Sequence, residues 1–121
     1  MKNKKILLVD DDQGIIETYK IKIKSYFPLY NVDTARDGLE ALCLLEKKHY
    51  DILITDYHMP QLSGYEVAKK AQSLQTDLKI YLISSLLTII SEREKKYSMD
   101  ALKNMNFFLR LRKYYKRCYI V

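Results

Sequence analysis

Twice in its first half the chain runs through a string of aliphatic residues and stops at aspartate. Lys5-Ile6-Leu7-Leu8-Val9 leads into Asp10-Asp11-Asp12, and Ile52-Leu53-Ile54-Thr55 leads into Asp56, with Pro60 soon after. Unbroken rather than alternating apolar runs are how strands covered on both faces by helices read. Pro60 cannot continue a sheet ladder, so the second strand stops near Thr55 and Asp56 projects from its carboxyl end. In an open parallel α/β sheet, ligands gather outside the carboxyl ends of the strands, where the strand order reverses. If the two strands are neighbours there, Asp10, Asp11 and Asp56 converge on one small volume.

Clustered carboxylates hinder one another's ionisation unless a cation sits among them. A hard divalent ion suits such a site: Mg2+ takes oxygen ligands, keeps several waters, and is held by one or two carboxylates plus a phosphate. The cluster therefore points to phosphoryl chemistry.

Three segments, in order and spacing, carry a resemblance. Val9-Asp10-Asp11-Asp12, then Asp56-Tyr57-His58-Met59-Pro60 with Ser63-Gly64-Tyr65-Glu66, then Ile83-Ser84-Ser85 together resemble the receiver domain of two-component response regulators. The resemblance is strong over residues 4–85, while 86–121 diverges. It implies an α/β fold: a doubly wound, five-stranded parallel sheet of flavodoxin-like order 2-1-3-4-5. A single domain over 1–121 is expected, since no repeat, linker or low-complexity segment leaves room for an output domain. It also implies that Asp56 is the phosphoacceptor, a carboxylate nucleophile that forms an aspartyl phosphate. Asp10, Asp11, Asp56 and the backbone carbonyl of His58 would serve as ligands of Mg2+, Asp10 acting nearby or through water. Ser84 stands where the family carries Thr or Ser, and its hydroxyl can donate to a phosphoryl oxygen.

The family's Lys-Pro at the end of the fifth strand has no clear match. Counting from Ser84 lands near Asn106, where there is no base. By pattern, Asn106-Phe107-Phe108-Leu109-Arg110-Leu111 fits best, which makes Phe107 the switch aromatic and Arg110 the substitute for Lys, with Lys103 as the fallback. Arg is a planar fork rather than a compact point charge, so the replacement is not equivalent.

Elsewhere the chain reads as alternating helices and strands. Ile15, Ile16, Tyr19, Ile23, Tyr26 and Phe27 recur at helical spacing until Pro28, and Asp12 is placed to cap that helix rather than to bind a ligand. Residues 30–35 form a strand in which Val32 and Thr34 alternate with polar neighbours, as an edge strand does. Leu39, Leu42, Cys43 and Leu45 mark a second helix, and Val67, Ala68, Ala71 and Leu74 a third beyond a loop turned by Pro60, Ser63 and Gly64. Residues 78–85 make a fourth strand, 86–97 a helix, 106–111 a fifth strand. The end reads either as a short helix over Leu111, Tyr115, Cys118 and Tyr119 or as a strand at Tyr119-Ile120-Val121.

At 121 residues, 48% of them apolar and 30% charged, the composition is that of one globular domain. Cys43 and Cys118 lack metal-ligand or CxxC spacing, so a disulfide framework and a zinc site are not indicated, and a cytoplasmic location is the default. The basic start is followed by too short an apolar run for a signal peptide, and no stretch is long enough to span a bilayer. Net charge is +6, with bases concentrated late. The run Arg110 to Arg117 mixes bases with aromatics, but with no reading motif it is a solvated face before it is a nucleic-acid surface, and an acidic protein surface is the better partner. His58 is read as a solvent-facing loop side chain, and His49 as a loop residue with no partner in sequence.

The reading that follows is a signalling module rather than an enzyme. It accepts phosphate from a phosphohistidine on a histidine kinase or phosphotransfer protein and switches a surface for a downstream protein target. Two rivals stand beside it: a receiver-like docking module that works without phosphate, and a flavodoxin-like nucleotide or flavin binder, which would need a glycine-rich phosphate loop that the scattered Gly14, Gly38 and Gly64 do not form.

Overall fold

The computed structural model describes residues 3–84 and 117–120. Three βα repeats and a fourth strand begin the chain: β1 (Lys5–Val9), α1 (Gln13–Tyr26), β2 (Asn31–Ala35), α2 (Gly38–Lys47), β3 (Ile52–Asp56), α3 (Gly64–Leu74) and β4 (Lys79–Ser84). These four strands are parallel, in the order β2-β1-β3-β4, which is the flavodoxin-like α/β arrangement. Parallel neighbours need a crossover, and a helix supplies it each time.

The fifth strand departs from the expected parallel direction, and it overlaps the strand reading of Tyr119-Ile120-Val121. β5 (Arg117–Ile120) completes the order β2-β1-β3-β4-β5 but runs antiparallel to β4. An antiparallel edge strand on an otherwise parallel sheet is a common arrangement, and Cys118-Tyr119-Ile120 has the β-prone character it needs. The anticipated strand at 106–111 and helix at 86–97 lie outside the described residues, as do Lys103, Phe107 and Arg110.

Strand residues alternate between two cores, as a sheet with helices on both faces requires. On one face Ile6, Leu8, Ile52, Ile54, Tyr81 and Ile83 pack with Ile16, Tyr19 and Ile23 of α1. On the other, Leu7, Val9, Leu53, Ile80 and Leu82 pack with Ala41 and Leu45 of α2 and Val67, Ala68 and Ala71 of α3. The buried stripe of α2 is Gly38, Ala41 and Leu45 rather than the expected Leu39, Leu42, Cys43 and Leu45, for Leu39 and Cys43 are exposed. Small residues set that face: a Cβ on Gly38 would come within 2.7 Å of Val67 Cγ2 and 2.9 Å of Leu62 Cβ. In α3 the expected Leu74 is likewise exposed, and Gly64 takes the buried position at the other end.

Each helix begins on a side-chain cap. Asp12 accepts from the backbone N–H groups of Gly14 and Ile15, Asp37 from that of Glu40, and Ser63 from that of Glu66. Asp12 is thus a cap, as its position before the helical pattern implied.

Candidate functional site

β1 and β3 lie side by side in register, with Val9 opposite Thr55. The chain leaves β1 toward β2 on one side, while β3 and β4 follow on the other. The reversal of strand order therefore falls between β1 and β3, and the next residues along are Asp10 and Asp56. Carboxylate oxygens of Asp10, Asp11 and Asp56 all lie within 4.8 Å of one another. Sequence spacing alone had brought together the same three residues.

Each acid is held differently. Asp10 is 6% exposed and its Oδ1 accepts from the backbone N–H of Asp12 at 2.8 Å. Burial pushes its carboxyl up to about 7, against the lowering effect of that hydrogen bond, and the nearby Asp56 and Asp11 push the same way as burial. Asp56, half-buried, is raised to about 6, again chiefly by burial, with a weak hydrogen bond from the His58 N–H at 3.4 Å lowering it and Asp11 raising it. Asp11 is exposed and stands at the open side of the cluster.

The loop after Asp56 is anchored by backbone contacts. Tyr57 N–H donates to Ile83 O at 2.8 Å, tying the strand end to β4, and Gly64 N–H donates to Tyr57 O at 2.9 Å. Any Cβ at Gly64 would collide with the Asp56 carbonyl, so only glycine lets α3 start this close to the site. Met59 points into the core beneath the loop. Between them, Leu62 N–H bonds to Pro60 O across Gln61, whose φ is +68°, a tight turn in a conformation that non-glycine residues rarely adopt. Nothing in the sequence marked Gln61 for that role.

His58 is half-buried, with its ring edge-on to Tyr57 at 5.0 Å, and so is less open than its expected solvent-facing placement. His49 has a partner that sequence could not reveal: its Nε2 lies 3.3 Å from Asp77 Oδ2 on the surface. Ser84 ends β4 one residue beyond Ile83, which is opposite Asp56. That backbone position is at the same end of the sheet as the acids.

All-oxygen donors, a net negative charge forced into a partly dry pocket, and an open side at Asp11 fit a hard divalent cation with room for water and a phosphate. The family model for the response regulator receiver domain matches residues 6–106. The chain belongs to that family. Response regulator MprA of Mycobacterium sp. (strain KMS) is 37% identical over 89 residues, covering 74% of this chain and 37% of MprA. Sensor protein EvgS of Escherichia coli (strain K12) is 36% identical over 95 residues, covering 77% of this chain and 8% of EvgS. The receiver thus spans little more than a third of the MprA length and a far smaller part of EvgS. Among solved structures, chemotaxis protein CheY4 of Vibrio cholerae superposes with a TM-score of 0.71 at 26% identity, covering 93% of this chain and 97% of that one. A CheY-like receiver from Methanospirillum hungatei JF-1 also reaches 0.71, at 25% identity and 93% and 91% coverage. Receivers are signalling modules of two-component systems, and acidic pockets that take Mg2+ are typical of them. Among the described residues no helix is long and apolar enough to cross a membrane.

Proposed function

We propose that this receiver accepts a phosphoryl group on Asp56 from a phosphohistidine of a histidine kinase or phosphotransfer protein, in the cytoplasm, and thereby changes a surface that a downstream protein reads. One observation carries the proposal: three carboxylates meet within 4.8 Å at the β1/β3 reversal of strand order in a chain of receiver type. A side-chain oxygen of Asp56 attacks phosphorus, the P–N bond to the donor imidazole breaks, and its electron pair stays with the imidazole, which then takes up a proton. Asp10, Asp11, Asp56 and the His58 carbonyl would hold Mg2+, which supplies the positive charge that offsets the acids and the incoming phosphate. The chain's own contribution is positioning: the Asp12 N–H orients Asp10, and the Gly64 contact fixes the backbone on which Asp56 is carried. Ser84 donates to a phosphoryl oxygen, and Arg110 stands in for the family's lysine. The product is a modified protein rather than a released molecule, so this is a switch and not an enzyme.

The test is intact mass after incubation with a small phosphodonor. Wild type with Mg2+ should gain one phosphoryl group, and Asp56→Asn, or wild type with chelator, should gain none. Equal labelling without metal overturns the mechanism, and no labelling under any condition favours the phosphate-independent docking reading.

A further inference from the structure

The outer strand of the sheet runs from the acidic end, where Ala35 O meets the Asp10 N–H, to an N-terminal end that is flanked by lysines. β2 pairs only with β1, so its far edge has no strand beside it among the described residues. Asn31 N–H bonds back to Lys4 O, and Ala35 O accepts from Asp10 N–H, so the odd-numbered residues of β2 spend their backbone groups on β1. By the alternation of a strand, the N–H and C=O groups of Val32 and Thr34 point outward. At the N-terminal half of that edge lies a groove of about 600 Å3 lined by Lys5, Lys20, Lys24, Asn31, Val32, Asp33 and Lys48, with Thr34 next along the strand beyond it. Lys20 and Lys24 border it from α1. Lys48 borders it from the far side, where its ammonium and the Tyr50 hydroxyl both engage Asp33, at 3.5 and 2.6 Å. Asp33, the one acid in the lining, is therefore already engaged within the protein, by the Tyr50 hydroxyl and by Lys48.

We infer that this edge is a docking site for an extended acidic segment of a partner protein, which adds as a further strand beside β2. Backbone groups of Val32 and Thr34 would bond the segment's main chain, and alternate carboxylates would meet Lys20 and Lys24 on one side. Edge lysines also discourage pairing with a second copy of the same chain. Here both functions act together, because the charge that repels another β2 edge selects a strand of opposite sign. Nucleic acid or an anionic membrane would use the charge but not the two outward amides, and neither needs a strand edge. This site is separate from the acidic cluster and does not depend on phosphorylation.

The probe is a seven-residue peptide alternating glutamate with threonine, followed by amide spectra of the unphosphorylated protein. Shifts should concentrate on Val32, Thr34, Lys20 and Lys24, and affinity should fall at least tenfold when the peptide amides facing β2 are N-methylated, a change that leaves the protein untouched. The variant Lys20→Glu should weaken binding several-fold while melting like wild type, because it leaves in place Lys24, whose ammonium donates to Tyr30 O at 2.8 Å. Undiminished binding of the N-methylated peptide would reduce the groove to a diffuse charge patch and overturn the strand-addition proposal. Tighter binding of single-stranded RNA, or of vesicles of phosphatidylserine and phosphatidylcholine, with the same residues shifting, would also overturn it.

Discussion

Burial and mutual repulsion leave Asp10 and Asp56 with raised carboxyl pKa values, about 7 and about 6, and this has a direct consequence for stability. A carboxyl whose pKa is higher folded than unfolded binds protons more tightly in the native state, so without metal the native state loses stability as pH rises from about 4 to about 7. At roughly 1.4 kcal/mol per pKa unit, Asp10 alone accounts for up to about 4 kcal/mol, less whatever water screens. Urea unfolding of metal-free protein from pH 5 to 8 should show that slope, and Asp10→Asn, which keeps the acceptor for the Asp12 N–H, should flatten most of it. Mg2+ should reverse the loss, because it binds only the native cluster. Its melting-temperature gain should vanish below about pH 5, where protons compete for the same oxygens, and equal ionic strength of NaCl should not reproduce it. A metal response that survives Asp11→Asn unchanged would remove the cluster from consideration as the binding site.

Between elements, the joints rest on few residues, and two of them illustrate what a sequence can and cannot reveal. Gln75, buried at the end of α3, donates its amide to Leu45 O at 2.8 Å and Lys48 O at 2.7 Å, and accepts from Tyr50 N–H at 2.9 Å. It satisfies carbonyls at the C-terminus of α2 while fixing the approach to β3. Gln75→Leu strands the buried Tyr50 N–H and Leu45 carbonyl and the partly buried Lys48 carbonyl, and should cost on the order of 3 kcal/mol by denaturant unfolding, whereas Gln72, exposed nearby on α3, should tolerate the same change. Gly64→Ala should cost at least as much, because the added methyl meets the Asp56 carbonyl and not a flexible side chain. The strands themselves were legible, because Ile6 to Val9 and Ile52 to Thr55 are buried on both faces and show it as unbroken apolar runs. The edge position of β2 was legible for the converse reason, since its residues 31–34 alternate polar with apolar and are only partly covered. The face of α2 was not, because Gly38 and Ala41 are buried for their smallness, which hydropathy does not register. Nor was the direction of β5, because strand propensity at Cys118 to Ile120 is the same whichever way the strand runs. The three acids were found because the chemistry requires them to be acids; Gln75 and the strained Gln61 were missed because their roles depend on partners distant in sequence or on a backbone angle.

At the scale of the whole molecule, the family's first half and its last third carry different tasks, and we propose that this chain keeps them unequally. Phosphoryl transfer depends on acids at the ends of β1 and β3, and Asp10, Asp11 and Asp56 are together. Propagation depends on a contact that differs between the two states, since an added group shifts a conformational equilibrium only by its differential interaction with them. In the family that contact comes from a lysine preceding proline; we propose that here its place is taken by Arg110, followed by Leu111, with Phe107 as the switch aromatic. A guanidinium presents a wide, planar set of donors and is not equivalent to an ammonium point charge at such a contact. We therefore predict that Asp56 is phosphorylated readily while the conformational response is weak, with amide shifts confined to the neighbours of Asp10, Asp56 and Ser84. Spectra of free and phosphorylated protein compare the two states directly. Large shifts that spread through Phe107 toward the C-terminus, and that Arg110→Ala abolishes, would show that arginine does the lysine's work and that the coupling is intact.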